Sequence, residues 1–227
     1  MLYASGIRLS KIVNNGLEKG IMHLVCSDLE GIFVPEIWIE VSKKTGIEEL
    51  RLTTRDIPDY DVLMKRRIDI LNQNSLRIQD ITTVIDGMHP LDGADDFLNW
   101  LRTRTPIIIV SDTFDQFAGP LMSKLGHPTL FCNTLVIEPD GRISGYRLRR
   151  QDGKKETVSA LKSLNFKIIA IGDSYNDITM LKAADNGFLF RPPENVIAEF
   201  PELPVTREYD QIKEFIGKIL ANHRTRG

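Results

Sequence analysis

The stretch Lys167-Ile168-Ile169-Ala170-Ile171-Gly172-Asp173-Ser174-Tyr175-Asn176-Asp177 decides the fold. It opens as a short apolar run of strand type, breaks at Gly172, and enters a helix start crowded with Asp, Ser and Asn. Open α/β sheets bind ligands beyond the carboxyl ends of their strands, where this segment places its oxygen-bearing side chains. The same pattern occurs twice upstream. Leu24-Val25-Cys26 runs into Ser27-Asp28-Leu29-Glu30-Gly31, and Ile107-Ile108-Ile109-Val110 runs into Ser111-Asp112-Thr113. Phe188-Leu189-Phe190, before Pro192-Pro193, reads as a fourth strand. Helix-period segments at 92–101, 154–164 and 177–184 separate these strands, the last with Gly187 as its stop signal. Strands alternating with helices predict an α/β protein with a parallel sheet. Residues 134–149 flank Pro139-Asp140-Gly141 and read as a hairpin beside that sheet.

Residues 36–89 break the alternation. Helix-period patterns at 60–71 and 78–85 fill the block, and no strand pattern occurs in it. It reads as a small helical cap inserted after the first strand, over a catalytic core formed by 22–35 and 90–227. Residues 1–21 lack the apolar core of a secretory signal and contain Glu18, which transit peptides avoid. Two readings of them stay open: an extension upstream of a natural start at Met22, or an amphipathic surface helix.

Composition narrows the function classes. The chain of 227 residues carries 29 Lys+Arg against 31 Asp+Glu, a formal charge of −2, and is 42% hydrophobic. Such a balance gives no electrostatic footprint for nucleic acid. No apolar run approaches the roughly 18 residues of a membrane span, so no membrane role is expected. Two cysteines, Cys26 and Cys132, exclude a disulfide scaffold and suit the cytoplasm. Cys26 reads as core, Trp38 and Trp100 as packing residues, and the four histidines show no ligand spacing.

The chemistry lies at the strand ends. Asp28 and Glu30 put two acids at the end of a buried strand, which burial alone disfavours unless a cation or a proton intervenes. Asp173 and Asp177, four apart at a helix start and so expected on one face, add two more. Asp28, Asp173 and Asp177 together form an oxygen-ligand set suited to a hard cation such as Mg²⁺. The Ser111 hydroxyl and the amides of a following helix start can donate to phosphate oxygens, and Lys154 or Lys155 can neutralise the remaining charge.

Asp28-Leu29-Glu30-Gly31, Ser111, Lys154 and Gly172-Asp173-Ser174-Tyr175-Asn176-Asp177 resemble, in order, the four motifs of the haloacid dehalogenase-like phosphatases. Within that family the chain is similar to the phosphoserine phosphatases, and above all to those that also transfer phosphate to homoserine. Val34-Pro35-Glu36-Ile37-Trp38, the run from Thr53 to Asp61, and Ser111-Asp112-Thr113-Phe114 carry this likeness. The resemblance implies a Rossmannoid parallel sheet with a helical cap, and an Mg²⁺-dependent reaction through an aspartyl-phosphate. Asp28 would be the nucleophile and Glu30 the general acid and base. Ser111, Lys154 and Asn176 would bind the phosphoryl oxygens. Asp28, the Glu30 carbonyl and Asp173 would hold the metal, with Asp177 close by or acting through water. Glu36 and Arg67 would recognise the amine and the carboxylate of phosphoserine. Tyr60 would close over the substrate or pack the cap, and Asp112 and Thr113 would line the substrate site.

Two departures stand out. Glu30 replaces the usual aspartate, and Asp112-Thr113 replaces the glycines of ordinary phosphoserine phosphatases. Phosphoserine is the expected donor and homoserine the expected acceptor, with the chain a monomer or homodimer. The competing expectations are a phosphatase of another small phosphate ester and a non-catalytic phospho-acceptor domain.

Overall fold

The computed structural model describes residues 22–224 apart from Arg55 and Pro58, so the reading of residues 1–21 lies outside the described residues. The strands are β1 (Met22–Ser27), β2 (Ile107–Phe114), β3 (Thr129–Ile137), β4 (Ile143–Arg147), β5 (Phe166–Gly172), β6 (Asn186–Phe190) and β7 (Val205–Thr206). They form one sheet in the order β4-β3-β2-β1-β5-β6-β7, parallel except for the β3–β4 hairpin. From β1 the chain builds outward to β2 and β3, then crosses to β5 on the other side. The strand order therefore reverses at β1, the switch point at which such sheets open a crevice for ligands.

Helices α1 (Ile37–Thr45), α2 (Tyr60–Gln73) and α3 (Ile78–Asp86) follow β1. Then come α4 (Ala94–Arg102), α5 (Asp115–Lys124), α6 (Gly153–Ser163), α7 (Ile178–Ala183), α8 (Glu194–Glu199) and α9 (Tyr209–Arg224). Both sheet faces are covered, which is why Leu24–Cys26, Ile107–Val110 and Ile168–Ile171 are continuous apolar runs rather than alternating with polar residues. Val25, Ile109 and Ile169 point to a core shared with Ile81, Phe97 and Ile212 from α3, α4 and α9. Leu24, Cys26 and Ile168 point the other way, onto Val158, Leu181 and Val196 of α6, α7 and α8. Cys26 is fully buried in this second core, and burial pushes its thiol up to about 12, which disfavours the thiolate.

The block at 36–89 contains α1 to α3 and a 3₁₀ turn at Glu48–Arg51, with no strand among its described residues. Its helix ends follow from capping: Asp59 accepts from the Asp61 and Val62 amides to start α2, and Gly46 ends α1 at φ 74°. The hairpin supports this block. The Tyr146 hydroxyl donates to Asp61 (2.6 Å), Asn72 donates to the Ile143 carbonyl (3.3 Å), and the Ile78 amide donates to the Gly141 carbonyl (2.9 Å).

Two local expectations need correction. Gly187 does not stop the preceding helix, which ends at Ala183; it lies within β6. A Cβ there would come 2.5 Å from the Leu181 carbonyl oxygen, so glycine permits close packing of β6 on α7. Likewise, β2 does not end at Val110. It runs to Phe114, with a shift in its pairing to β3 between Val110 and Phe114, so no helix start follows Ser111 directly.

Candidate active site

Sheet register brings the motifs together. Ser27 lies opposite Ile171 on β5, and the Asp28 amide donates to the Ile171 carbonyl (2.9 Å), so Asp28 and Asp173 leave neighbouring strands at almost the same height. Ser27 also pairs with Ile109, which sets Ser111 two residues further along β2. There the ladder shifts, and the Ser111 hydroxyl accepts from the Thr113 amide (3.3 Å).

Asp28, Asp173 and Asp177 are all buried, and carboxylate oxygens from the three lie within 4.8 Å of one another. Asp173 and Asp177 do not share a helix face. Asp173 sits in the turn after β5, while Asp177 ends the 3₁₀ turn Tyr175–Asp177 and folds back. One Asp177 oxygen accepts from the Asp173 and Ser174 amides (2.9 and 3.1 Å), and the other accepts from Lys154 Nζ (2.7 Å). Two glycines create the space. A Cβ on Gly31 (φ +73°) would fall 2.4 Å from the Asp173 carboxylate, and one on Gly172 would fall 2.3 Å from the Asp177 Cβ.

Lys154 is 2% exposed, whereas Lys155 is exposed, so Lys154 is the lysine at the site. Its ammonium also lies 3.0 Å from Asp28 Oδ2 and 3.6 Å from Asp112 Oδ2. Burial works against its charge, but Asp177, Asp28 and Asp112 overcome it and hold the ammonium well above the ordinary lysine range. Burial, reinforced by Asp177 and Asp112 and opposed by Lys154, pushes Asp28 up to about 8. Burial and the charges of Asp177 and Asp28 raise Asp173 well above the usual carboxylate range. One buried lysine against three buried carboxylates leaves excess negative charge, which protons or a cation must offset. The all-oxygen donor set and the room left by Gly31 fit a hard divalent cation.

Glu30 Oε2 accepts the Ile37 amide at the start of α1 (2.8 Å). Burial and the neighbouring Glu36 charge raise its carboxyl well above the ordinary range, which suits a proton donor. Across a cavity of about 80 Å³ lie Glu36 and Arg67. The Arg67 guanidinium stacks on Trp38 (4.6 Å to the ring centre) and donates to the Leu52 carbonyl (2.7 Å) and, through Nη1, to Met64 Sδ (3.6 Å). Its buried Nε has no partner among the described residues. Burial lowers Arg67 to about 10 against the pull of Glu30, Tyr60 and Glu36. Thr113 and Ser111 line the same cavity.

Tyr60 does more than pack: its hydroxyl donates to the Asp112 carbonyl (3.0 Å), tying α2 to β2. Asn176 Nδ2 donates to Asp112 Oδ2 (2.9 Å) while its Oδ1 accepts from Ser174 (2.6 Å). Thr54, Tyr60, Asp112, Lys154 and Asn176 line both this cavity and an outer groove of about 790 Å³.

Residues 23–185 match the haloacid dehalogenase-like hydrolase family. This chain belongs to that family. A phosphoserine phosphatase of Pseudomonas syringae pv. tomato is 52% identical over 206 residues, covering 90% of this chain and 87% of its own. Pseudomonas aeruginosa phosphoserine phosphatase ThrH is 53% identical over 196 residues, covering 86% and 96%. The fold of this haloacid dehalogenase-like hydrolase superposes on that of a crystalline apo phosphoserine phosphatase, with a TM-score of 0.70 at 22% identity over 86% of this chain and 98% of the other. A phospho-aspartyl intermediate analogue of phosphoserine phosphatase gives 0.69 at 22% identity, over 86% and 99%.

Asp28, Glu30, Glu36, Tyr60, Arg67, Ser111, Asp112, Thr113, Lys154 and Asn176 line the inner cavity, Asp173 and Asp177 belong with Asp28 to the buried carboxylate cluster, and Lys155 lies outside both. Trp38 packs in the core as the sequence reading expects, but that reading did not pair it with Arg67, and it gave no role to Gly31 and Gly172. The glycines carry a visible signal, since each stands beside an acid at a strand end. Trp38 carries none, because Arg67 is far away along the chain.

Proposed function

We propose that this hydrolase is an Mg²⁺-dependent phosphoserine phosphatase that works through an aspartyl-phosphate and also passes the phosphoryl group to homoserine. The observation that carries the reading is the buried Asp28–Lys154–Asp173–Asp177 cluster facing, across one small cavity, a buried arginine with an orphan donor. Helices at 36–89 serve as the cap, and the names of the two Pseudomonas relatives support phosphoserine as the donor.

Asp28, Asp173 and the Glu30 carbonyl would hold Mg²⁺, with Asp177 orienting the set through Lys154 and the turn amides. When bound, the ion offsets repulsion between the nucleophile and the phosphate. A carboxylate oxygen of Asp28 forms the new bond to phosphorus as the serine ester bond breaks. The Glu30 carboxyl gives its proton to the departing alkoxide. Glu30 then takes a proton from water or from the homoserine hydroxyl, whose oxygen attacks phosphorus and frees Asp28. Ser111, Lys154 and Asn176 hold the phosphoryl oxygens. Glu36 meets the substrate ammonium, and the unpartnered Arg67 Nε meets its carboxylate.

The test is phosphorus NMR with phosphoserine, Mg²⁺ and increasing homoserine. Phosphohomoserine is expected to grow at the expense of free phosphate; free phosphate alone would leave a plain phosphatase, and no turnover of phosphoserine would overturn the reading. Glu30→Gln is expected to suppress both products by roughly 10²–10⁴-fold, because both need the same proton transfers.

Arg67→Ala is expected to raise the KM for phosphoserine by about 10- to 150-fold, the loss of one charge-assisted contact. A phosphate ester without a carboxylate should change far less, and steady-state kinetics on both substrates decides. Equal losses would mean that Arg67 acts by holding Trp38 and the Leu52 segment in place.

A further inference from the structure

We propose that Asp112 is an internal anion that competes with the phosphoryl group for Lys154 and Asn176, and so weakens the hold of the site on inorganic phosphate. The proposal rests on the reading that these two side chains bind phosphoryl oxygens. A single oxygen, Asp112 Oδ2, faces both donors, 2.9 Å from Asn176 Nδ2 and 3.6 Å from Lys154 Nζ. An anionic oxygen thus already stands between the cation and the amide that a phosphoryl oxygen would use.

The remaining partners of Lys154 differ from Asp112. Asp28 and Asp177 belong to the buried carboxylate cluster, with side chains 7% and 0% exposed, whereas the Asp112 side chain is 35% exposed. Asp112 lines both the inner cavity and the outer groove. Its main chain is pinned, for the carbonyl accepts from the Tyr60 hydroxyl (3.0 Å) and from Asn133 Nδ2 (3.3 Å). Rotation about its side-chain bonds therefore moves the carboxylate toward the groove, past which Arg150 and Gln151 lie, without disturbing β2. Substrate or product binds by displacing this carboxylate, or beside it against like-charge repulsion. In either case Asp112 lowers the affinity for phosphate, and product leaves more readily.

The test is calorimetric titration of inorganic phosphate into the Mg²⁺-loaded wild type, Asp112→Asn and Asp112→Gly, with product-inhibition constants measured in parallel. Asp112→Asn keeps the size of the side chain and an acceptor for Asn176 while removing the charge. Asp112→Gly removes the side chain altogether. Both are expected to bind phosphate about two- to five-fold more tightly, the scale of one partly exposed charge interaction. The inhibition constants should fall by the same factor. Equal or weaker binding in the folded Asp112→Asn protein would overturn the proposal, since it would make Asp112 a group that positions Lys154 and Asn176. A wild type that binds no phosphate in competition with phosphoserine would remove the phosphoryl-site reading itself, and this proposal with it.

Discussion

Asp28→Asn is expected to lower phosphate release from phosphoserine by at least about 10³-fold, with the folded state intact, because an amide cannot form the phosphoryl-enzyme bond. The same variant should be more stable than the wild type when metal is chelated. Burial, together with Asp177 and Asp112, pushes Asp28 up to about 8 in the fold, above the value of about 4 for the unfolded chain. Between those values the native state binds more protons than the unfolded state, so stability declines as pH rises. The contribution is complete below about pH 4 and is lost as pH climbs through about 8. In EDTA, the Tm of the wild type should therefore fall between pH 5 and pH 8 along a steeper slope than that of Asp28→Asn. Phosphate release, circular dichroism and Tm against pH measure both halves. Appreciable Mg²⁺-dependent turnover by a homogeneous variant would take Asp28 out of the nucleophile role.

Lys154→Met is expected to be the most destabilising single change at the site. The lysine is 2% exposed, with carboxylate oxygens of Asp177, Asp28 and Asp112 at 2.7, 3.0 and 3.6 Å. Methionine fills similar volume but leaves buried carboxylates without their counter-charge, a loss of about 3–5 kcal/mol for breaking a buried pair on one side. Urea unfolding in EDTA at pH 7.5 reads this as a lower midpoint with little change in slope. The penalty should shrink at pH 5, where keeping Asp28 and Asp173, both raised, in their protonated forms costs less relative to the unfolded chain. Added Mg²⁺ should restore part of it. A loss below about 1 kcal/mol, the range of exposed pairs, would show that solvent reaches the cluster and already screens it.

The amino-acid sequence by itself determined β1, β2, β5 and β6, the acid-bearing segments that follow or end the first three, the helix-period stretches at 60–71 and 78–85 and the hairpin around Pro139-Asp140-Gly141, but not the two-residue β7. These are local properties: apolar periodicity, capping residues and turn chemistry act over a few neighbouring positions. The candidate chemistry was legible for the same reason, since Asp28, Ser111 and Asp173 each stand beside a strand they terminate or interrupt. What tertiary structure decided lies between segments. Lys154 and Lys155 are equivalent in sequence, but neighbours on a helix point about 100° apart, and the packing of α6 turns only Lys154 inward. That Ser111 sits at a shift in a ladder rather than at a strand end depends on β3, whose register with β2 is not written in β2 itself. Trp38 meets Arg67, and Asp112 meets Asn176, only because the sheet register and the docking of α2 on β2 set those distances. Long-range proximity is fixed by packing and strand pairing summed over the whole sheet, and no single stretch of the chain contains that information.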